Sequence, residues 1–101
     1  MTNCKSIYEP REDSTLLEKY VRKYANGAVL DMGTGSGIQA ITAAYCNRVR
    51  TVLATDVQDS VVKYDKKNIK NKKINFLVSD LFDKIKNKKF DTIMFNPPYL
   101  P

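Results

Sequence analysis

The sequence predicts an α/β fold with a parallel sheet of strand order 3-2-1-4, and three observations support this prediction. Helical and strand-like stretches alternate along the whole chain, which is typical of a parallel sheet covered by helices. A short apolar strand runs directly into closely spaced glycines and then into an alanine-rich helix. Right-handed crossovers between neighbouring parallel strands then place the first strand between the second and the fourth.

The first helix is expected to begin near Ser14 or Thr15, because Thr15-x-x-Glu18 fits a capping box. Asn26-Gly27 is expected to end it. Its predicted inward face carries Leu17, Tyr20, Val21 and Tyr24.

The remaining elements follow from apolar runs separated by turn residues. The predicted strands cover 28–32, 51–55, 74–78 and 90–95, the last being stopped by Pro97 and Pro98. The predicted helices between them cover 38–45 and 59–68, and a short helical turn is expected over 81–85. In the helix over 59–68, the inward side chains are predicted to be those of Val61, Val62 and, just beyond it, Ile69.

A glycine-rich loop follows the first predicted strand, with the sequence Asp31-Met32-Gly33-Thr34-Gly35-Ser36-Gly37. Its glycines let the backbone turn sharply and approach a ligand, while the next helix offers free N–H groups. The dinucleotide fingerprint needs a glycine where Ile38 stands. A carboxylate at Asp31 would also oppose a pyrophosphate, whereas it suits the cationic amino-acid end of S-adenosylmethionine. A tight turn without any ligand is the alternative.

Two further acidic residues follow strands at the edge where ligands of open α/β sheets bind. Asp56 at the tip of the second strand is positioned to accept both hydroxyls of a ribose, with Asp59 left to cap the next helix. Asp80 after the third strand could accept from an adenine amino group, with Leu81 against the ring. Capping of the following helix or turn is the alternative for each.

The segment Asn96-Pro97-Pro98-Tyr99 follows the fourth strand, which the predicted strand order places beside the glycine loop. Proline lacks an N–H and holds the preceding residue extended, so the Asn96 side chain and the Pro97 carbonyl can present acceptors without competing donors. An amide nitrogen that attacks a methyl group gains positive charge, which such acceptors would stabilise. Tyr99 would align the planar group. A diproline that merely ends an edge strand is the alternative.

Composition narrows the chemistry and suggests a possible partner. The chain has no histidine and only two cysteines, Cys4 and Cys46, far apart in sequence, so we expect neither a zinc cluster nor a histidine base. Ten lysines against three aspartates between Lys63 and Lys89 account for the net charge of +6. This segment is either a solvated face or a surface for nucleic acid. With no apolar run of membrane length and no secretory signal, we expect a cytoplasmic protein without a membrane partner.

Together the glycine loop and the Asn-Pro-Pro-Tyr segment resemble the HemK-like protein-(glutamine-N5) methyltransferases, in their short archaeal and eukaryotic branch. The opening residues 8–14, Tyr-Glu-Pro-Arg-Glu-Asp-Ser, look like the N-terminal signature of that family. The resemblance implies a Rossmann-like class I S-adenosylmethionine-dependent fold. It also implies a cofactor site with Ser14 on the methionine carboxylate and a substrate site at Asn96, Pro97, Pro98 and Tyr99. The cofactor-binding residues would be Ser14, Asp31, Gly33, Thr34, Gly35, Gly37, Asp56, Asp80, Leu81 and Asn96.

The resemblance further implies a substrate, a partner and a longer chain. The substrate would be the glutamine of a Gly-Gly-Gln sequence in a translation release factor, and a small zinc-binding activator subunit often pairs with such enzymes. The chain would be a single, truncated domain, with 1–27 as N-terminal motif and helix and 28–101 as cofactor-binding core. Two other hypotheses stay open: an adenine-N6 methyltransferase acting on DNA or RNA, and a non-catalytic fragment that binds a partner.

Overall fold

The computed structural model describes residues 12–80, 82 and 84–95, with the backbone alone for 12–15. Within these residues, the chain alternates between helices and parallel strands. The elements are α1 (Glu12–Tyr24), β1 (Gly27–Met32), α2 (Ile38–Ala44), β2 (Val49–Asp56), α3 (Asp59–Asn68), β3 (Ile74–Val78) and β4 (Thr92–Phe95). The predicted strand 74–78 and helix 59–68 are confirmed residue for residue, whereas β2 begins two residues earlier and β4 two residues later than expected.

The four strands form one sheet in the order β3-β2-β1-β4, with every pair parallel. This confirms the predicted order. Met32 at the end of β1 lies opposite Thr55 of β2 and Phe95 of β4, and Asp56 pairs with Val78 of β3. The carboxyl ends of all four strands therefore lie at one edge of the sheet.

The sheet has a different covering on each face. One face packs against α1 and α2 in a core built largely of alanine and valine, whose small side chains let the helices approach closely. The opposite face is covered by the connection between β3 and β4, through the buried side chain of Ile85 and the half-buried Phe90. Ile85 donates its N–H to the Phe82 carbonyl, and Lys88 donates to Ile85. Both are i to i−3 turns, and the described residues of this connection contain no helix.

The predicted start of α1 is wrong. The helix begins at Glu12, so Thr15 lies inside it and cannot act as its N-cap. The predicted buried face is partly confirmed, because Val21 is buried and Leu17 packs against the core. Tyr20 and Tyr24 were assigned to it wrongly, since they stack on each other at the surface, and Ala25 is buried instead.

Side chains from distant parts of the sequence hold the two flanking elements onto β1. The Arg48 guanidinium donates to the Ala25 carbonyl at 3.2 Å and to the Arg22 carbonyl, at the end of α1. At the start of β4, Asp91 accepts from the Ala28 N–H at 2.8 Å, and Thr92 bonds to the backbone of Asn26. These contacts fix α1 and β4 in register with the central strand.

No helix among the described residues is long and apolar enough to span a membrane.

Candidate functional site

A cavity of about 560 Å³ opens at the carboxyl ends of the strands. This volume lies within the usual range of small-molecule sites. The glycine loop forms one wall, the residues after β2 form another, and the last residue of β4 closes a third side. The lining residues are Met32, Gly33, Thr34, Gly35, Ser36, Asp56, Val57, Gln58, Val61, Ser79 and Phe95.

The glycine loop is held by backbone hydrogen bonds and needs glycine for its shape. Thr34 donates its N–H to the Thr55 carbonyl at 2.8 Å, and Gly37 donates to Thr34 at 2.9 Å. Gly35 has φ +56°, and a side chain there would meet nothing within 4 Å, so its backbone faces open space. Gly37 has φ +82°, and a Cβ would lie 2.5 Å from the Ile69 side chain. The loop therefore presents bare backbone toward the cavity and packs tightly against α3 behind it.

Asp31 is buried beneath this loop and does not line the cavity. Its side chain accepts from the Thr34 hydroxyl at 2.7 Å and from the Ala40 N–H in the first turn of α2. Burial raises the pKa of this carboxyl from 3.8 to about 6, opposed by these two hydrogen bonds and reinforced by the charges of Asp56 and Asp65. The direct contact with a cofactor expected for Asp31 stays a prediction. In the structure its carboxylate fixes the loop and the start of α2.

Asp56 lines the cavity at the tip of β2, where the sequence placed it. The assignment of Asp59 as helix cap is wrong, because Gln58 occupies the N-cap position and Asp59 instead pairs with Lys63 at 3.0 Å. Asp56 accepts the local backbone hydrogen bonds instead. One of its oxygens accepts from the Gly35 N–H and the other from the Gln58 N–H, each at 3.0 Å. A carboxylate has about four acceptor positions, so two remain for a ligand.

Asp65 was missed by the sequence analysis. It lies on the inner face of α3, is only 1% exposed, and has one oxygen with no hydrogen-bond partner. A Cβ on Gly37 would lie 3.8 Å from that oxygen, so the carboxylate sits directly behind the glycine loop. Burial raises the pKa of Asp65 to about 6, with the charge of Asp56 as a second cause. Its spacing of three from the buried Val62 was the available signal, since it places an acid on the apolar stripe.

Phe95 links β4 to the glycine loop. Its ring would lie 3.6 Å from a Cβ on Gly33, and it lines the cavity with Ser79 from the end of β3. Both residues were missed, because neither has a chemistry that singles it out in the sequence. Asp80 is exposed and does not belong to the lining. Its adenine contact stays a prediction.

Several predicted site residues lie outside the described residues: Leu81, Asn96, Pro97, Pro98 and Tyr99. Ser14 lies within α1, so its backbone is placed but its proposed contact is not. Their roles remain those implied by the resemblance. Among the residues that the structure does describe, no group of three or more acidic, histidine or cysteine side chains could hold a metal ion.

Comparison with known families decides the kind of protein this site belongs to. The family described as methyltransferase small domain matches residues 9–100, which is nearly the whole chain. The chain belongs to the methyltransferase small domain family. The match covers both the glycine loop and the Asn-Pro-Pro-Tyr segment.

Curated relatives within this family carry several substrate names. A Methanocaldococcus jannaschii protein, whose assignment as a protein N5-glutamine methyltransferase is itself provisional, is 42% identical over 97 residues, covering 94% of this chain and 48% of its own. A release factor glutamine methyltransferase of Shewanella oneidensis is 34% identical over 90% of this chain and 34% of its own. A ribosomal RNA small subunit methyltransferase C of Buchnera aphidicola is 40% identical over 84% of this chain and 25% of its own. The chain spans about half or less of the length of these relatives.

Solved structures agree on the fold. A ribosomal protein L11 methylase from Lactobacillus delbrueckii superposes with a TM-score of 0.72 at 29% identity, over 86% of this chain and 47% of its own. The M. capricolum TrmK structure, a complex with S-adenosyl-homocysteine, superposes with a TM-score of 0.64 at 22% identity. The match covers 78% of this chain and 39% of that protein. The fold is that of the class I S-adenosylmethionine-dependent methyltransferases, as the resemblance implied.

Proposed function

We propose that this methyltransferase domain binds S-adenosylmethionine in the cavity at the carboxyl ends of the strands. The observation that supports this most is the bare-backbone glycine loop joined to the acidic tip of β2, through the hydrogen bond from Gly35 to Asp56. The open space at Gly35 lets a ligand approach the backbone, and the remaining acceptor positions of Asp56 suit a ribose diol. Such a cofactor, when bound, supplies an electrophilic methyl group on a positively charged sulfur.

The carboxylates around the loop favour a positively charged ligand. Asp56 raises the pKa of both Asp31 and Asp65, so the three form one electrostatically coupled group. In a partly water-excluded cavity, such charges act over several ångströms with little screening. A cation in the cavity would relieve their mutual repulsion, whereas a pyrophosphate would increase it. This supports the sulfonium cofactor over a dinucleotide.

The proposed acceptor is the side-chain amide of a glutamine in a translation release factor. The relatives named for this reaction support it, as does the Asn96-Pro97-Pro98-Tyr99 segment that follows Phe95 at the cavity. In the proposed reaction, acceptors on Asn96 and Pro97 would bind the amide hydrogens while the bond from nitrogen to the methyl carbon forms and the methyl–sulfur bond breaks. The nitrogen would become positive, and S-adenosylhomocysteine would leave. No base is needed before attack, since the proton is lost after the bond to carbon has formed.

A second candidate is a nucleic-acid substrate, with the exocyclic amino group of a base such as adenine in place of the amide. The identity of 40% to a relative named for ribosomal RNA favours it. Both amino groups are planar and poor nucleophiles, so the same acceptors serve either. The zinc-binding activator subunit implied by the HemK-like resemblance remains a prediction.

Calorimetric titration of S-adenosylmethionine into the chain tests the cofactor site. Replacing Asp56→Asn should weaken binding about tenfold or more, because a charge-assisted hydrogen bond to the ligand is lost. Asp59→Asn is the matched control, since it removes an equal charge three residues away from a side chain that faces solvent and Lys63. We expect it to change affinity less than about twofold. Equal losses in the two variants would contradict the assignment of Asp56.

Transfer of a labelled methyl group tests the acceptor. We expect label in a release factor with its Gly-Gly-Gln sequence. At saturating cofactor, transfer should fall by about a hundredfold in Asn96→Ala. Label found in ribosomal RNA instead would select the second candidate. Failure of cofactor to bind at all would reject both.

A further inference from the structure

The edge of the sheet opposite the cavity carries exposed basic side chains contributed by different parts of the chain. Because all strands are parallel, residues at or just before the strand starts lie at this amino-terminal edge. Four of these side chains are exposed and have no hydrogen bond or ion pair in the described part of the chain. We call them the basic rim: Arg50, Lys72, Lys88 and Lys89.

The rim spans the width of the sheet. Lys72 precedes β3 at one side, Arg50 is the second residue of β2, and Lys89 precedes β4 at the other side. Three strand spacings of about 4.8 Å give a width of about 14 Å. The rim lies about 20 Å from the cavity, which is the length of a strand of six or so residues at about 3.3 Å each.

Helix ends do not explain these charges. Cations are common near helix C-termini, where they satisfy free carbonyls. Here other residues do this: Arg48 bonds to the end of α1, Lys70 to the Lys66 carbonyl, and Lys73 to the Cys46 carbonyl beyond α2. The basic rim is additional to this set, so its charges remain available to a partner.

Exposed aromatic side chains lie at the same edge. Tyr24 ends α1 and is 58% exposed, with the Lys23 ammonium 5.4 Å from its ring centroid. Tyr45 follows α2, is 47% exposed, and lines a groove of about 190 Å³ together with Asn68 and Asn71. Neither tyrosine belongs to the lysine-rich segment, so the sequence alone did not place aromatics beside its charges.

We propose that this edge binds single-stranded RNA, with phosphates along the basic rim and a base stacked on Tyr45. Lysine and arginine rows that track phosphates, combined with exposed aromatic rings, are the recurring design of single-strand binding surfaces. Duplexes keep their bases stacked inside and cannot use such rings. Beside Tyr45, Asn68 donates to the Tyr64 carbonyl and Asn71 accepts from the Lys73 N–H. The Asn68 side-chain carbonyl oxygen and the Asn71 NH2 group remain, and they can bond a 2′-hydroxyl, which selects RNA over DNA. This proposal is independent of the methyl acceptor, because the rim lies away from the cavity.

Fluorescence anisotropy with a labelled, mixed-sequence 12-nucleotide RNA tests the proposal on the chain. The rim variant is the triple replacement Arg50→Gln, Lys72→Gln and Lys89→Gln. The matched control is Lys19→Gln, Lys63→Gln and Lys84→Gln, which removes three exposed lysine charges placed away from the strand starts. We expect the rim variant to bind about tenfold or more weakly, with a salt slope lower by about 2, and the control to change less than about threefold.

Tyrosine variants separate stacking from charge. Tyr45→Ala should weaken RNA binding by about fivefold or more, whereas Tyr64→Ala, at a more exposed tyrosine beside the glycine loop, should leave it unchanged. Circular dichroism confirms that each variant is folded, and S-adenosylmethionine affinity should be the same in all four. Equal losses in the rim and control triples, binding of duplex RNA or single-stranded DNA as tight as the single-stranded RNA, or no binding by the unaltered chain would each overturn the proposal.

Discussion

The buried carboxylate of Asp65 gives a quantitative prediction about stability. Asp65→Asn removes the charge of a carboxylate that is only 1% exposed. One oxygen of this carboxylate has no hydrogen-bond partner. The pKa rises from 3.8 in the unfolded chain to about 6 in the folded one. Because the folded-state pKa lies above the unfolded value, the ionised carboxylate costs the native state on the order of 1 to 3 kcal/mol at pH 7.

The sign of the pH dependence follows from the raised pKa. Between about pH 4 and pH 6 the folded chain binds more protons at Asp65 than the unfolded chain does, so wild-type stability falls as pH rises through this window. The asparagine variant lacks this loss. Below about pH 4 the variant should be less stable than wild type by about 1 kcal/mol, the cost of burying an amide. Its stability relative to wild type should then rise by about 1 to 3 kcal/mol between about pH 4 and pH 7.

Urea unfolding followed by far-ultraviolet circular dichroism at these pH values measures the difference. Asp59→Asn serves as control, because its side chain is 63% exposed and its pair with Lys63 lies at the surface. We expect it to change stability by less than about 0.5 kcal/mol at every pH. An asparagine variant at position 65 that is less stable than wild type at pH 7, or an advantage that does not grow with pH, would refute the reasoning.

Three further predictions concern the loop, the helix end and the cofactor. Gly37→Ala should destabilise the fold by about 2 kcal/mol, because its Cβ would meet Ile69 at 2.5 Å, whereas Gly35→Ala should cost about 1 kcal/mol from its positive φ alone; urea unfolding of both variants gives the difference. Arg48→Met should cost about 1–2 kcal/mol, because it leaves the carbonyls at the end of α1 without their donor. Arg50→Met, two residues further along the chain, should cost less than about 0.5 kcal/mol; unequal midpoints in urea would support this and equal ones would contradict it. Calorimetry should show that S-adenosylmethionine binds several-fold more tightly at pH 7 than at pH 5. The affinity for S-adenosylhomocysteine, which lacks the sulfonium charge, should change less between the two pH values. Parallel pH profiles of the two affinities would argue against the carboxylates as the cause.

The strand order and most element bounds could be predicted because they depend on local apolar pattern and on the handedness of crossovers. The start of α1 could not. Thr15 and Glu18 fit a capping box by spacing, but nothing in the spacing shows that the helix already begins at Glu12. Leu17 and Val21 face the core as predicted, but the buried stripe does not extend to Tyr20 and Tyr24, which lie at the surface.

The sequence predicted the site residues whose place follows from the glycine loop and the strand ends. It did not predict the burial or lining that depends on how the helices pack around them. The glycine loop and Asp56 were found, because glycines after a strand and an acid at the next strand tip have few other reasons to occur there. The burial of Asp31 and Asp65 required the three-dimensional arrangement of α2 and α3 around the loop. Residues without a distinctive chemistry, such as Phe95 and Ser79, become site residues only when the strand ends align.

The distribution of charge along the strands connects these observations. α2 and α3 both begin at the cavity edge, where their N-termini are partly positive, so some negative charge there is expected. Asp31 and Asp56 meet that need by bonding to N–H groups of the loop and of the helix starts. Asp65 goes beyond it, because one of its oxygens bonds to nothing among the described residues and its burial destabilises the fold. Asp65 lies behind the glycine loop and does not line the cavity itself. Its negative charge still acts through the thin glycine backbone, and a buried negative charge at that place is complementary to a cation on the other side of the loop.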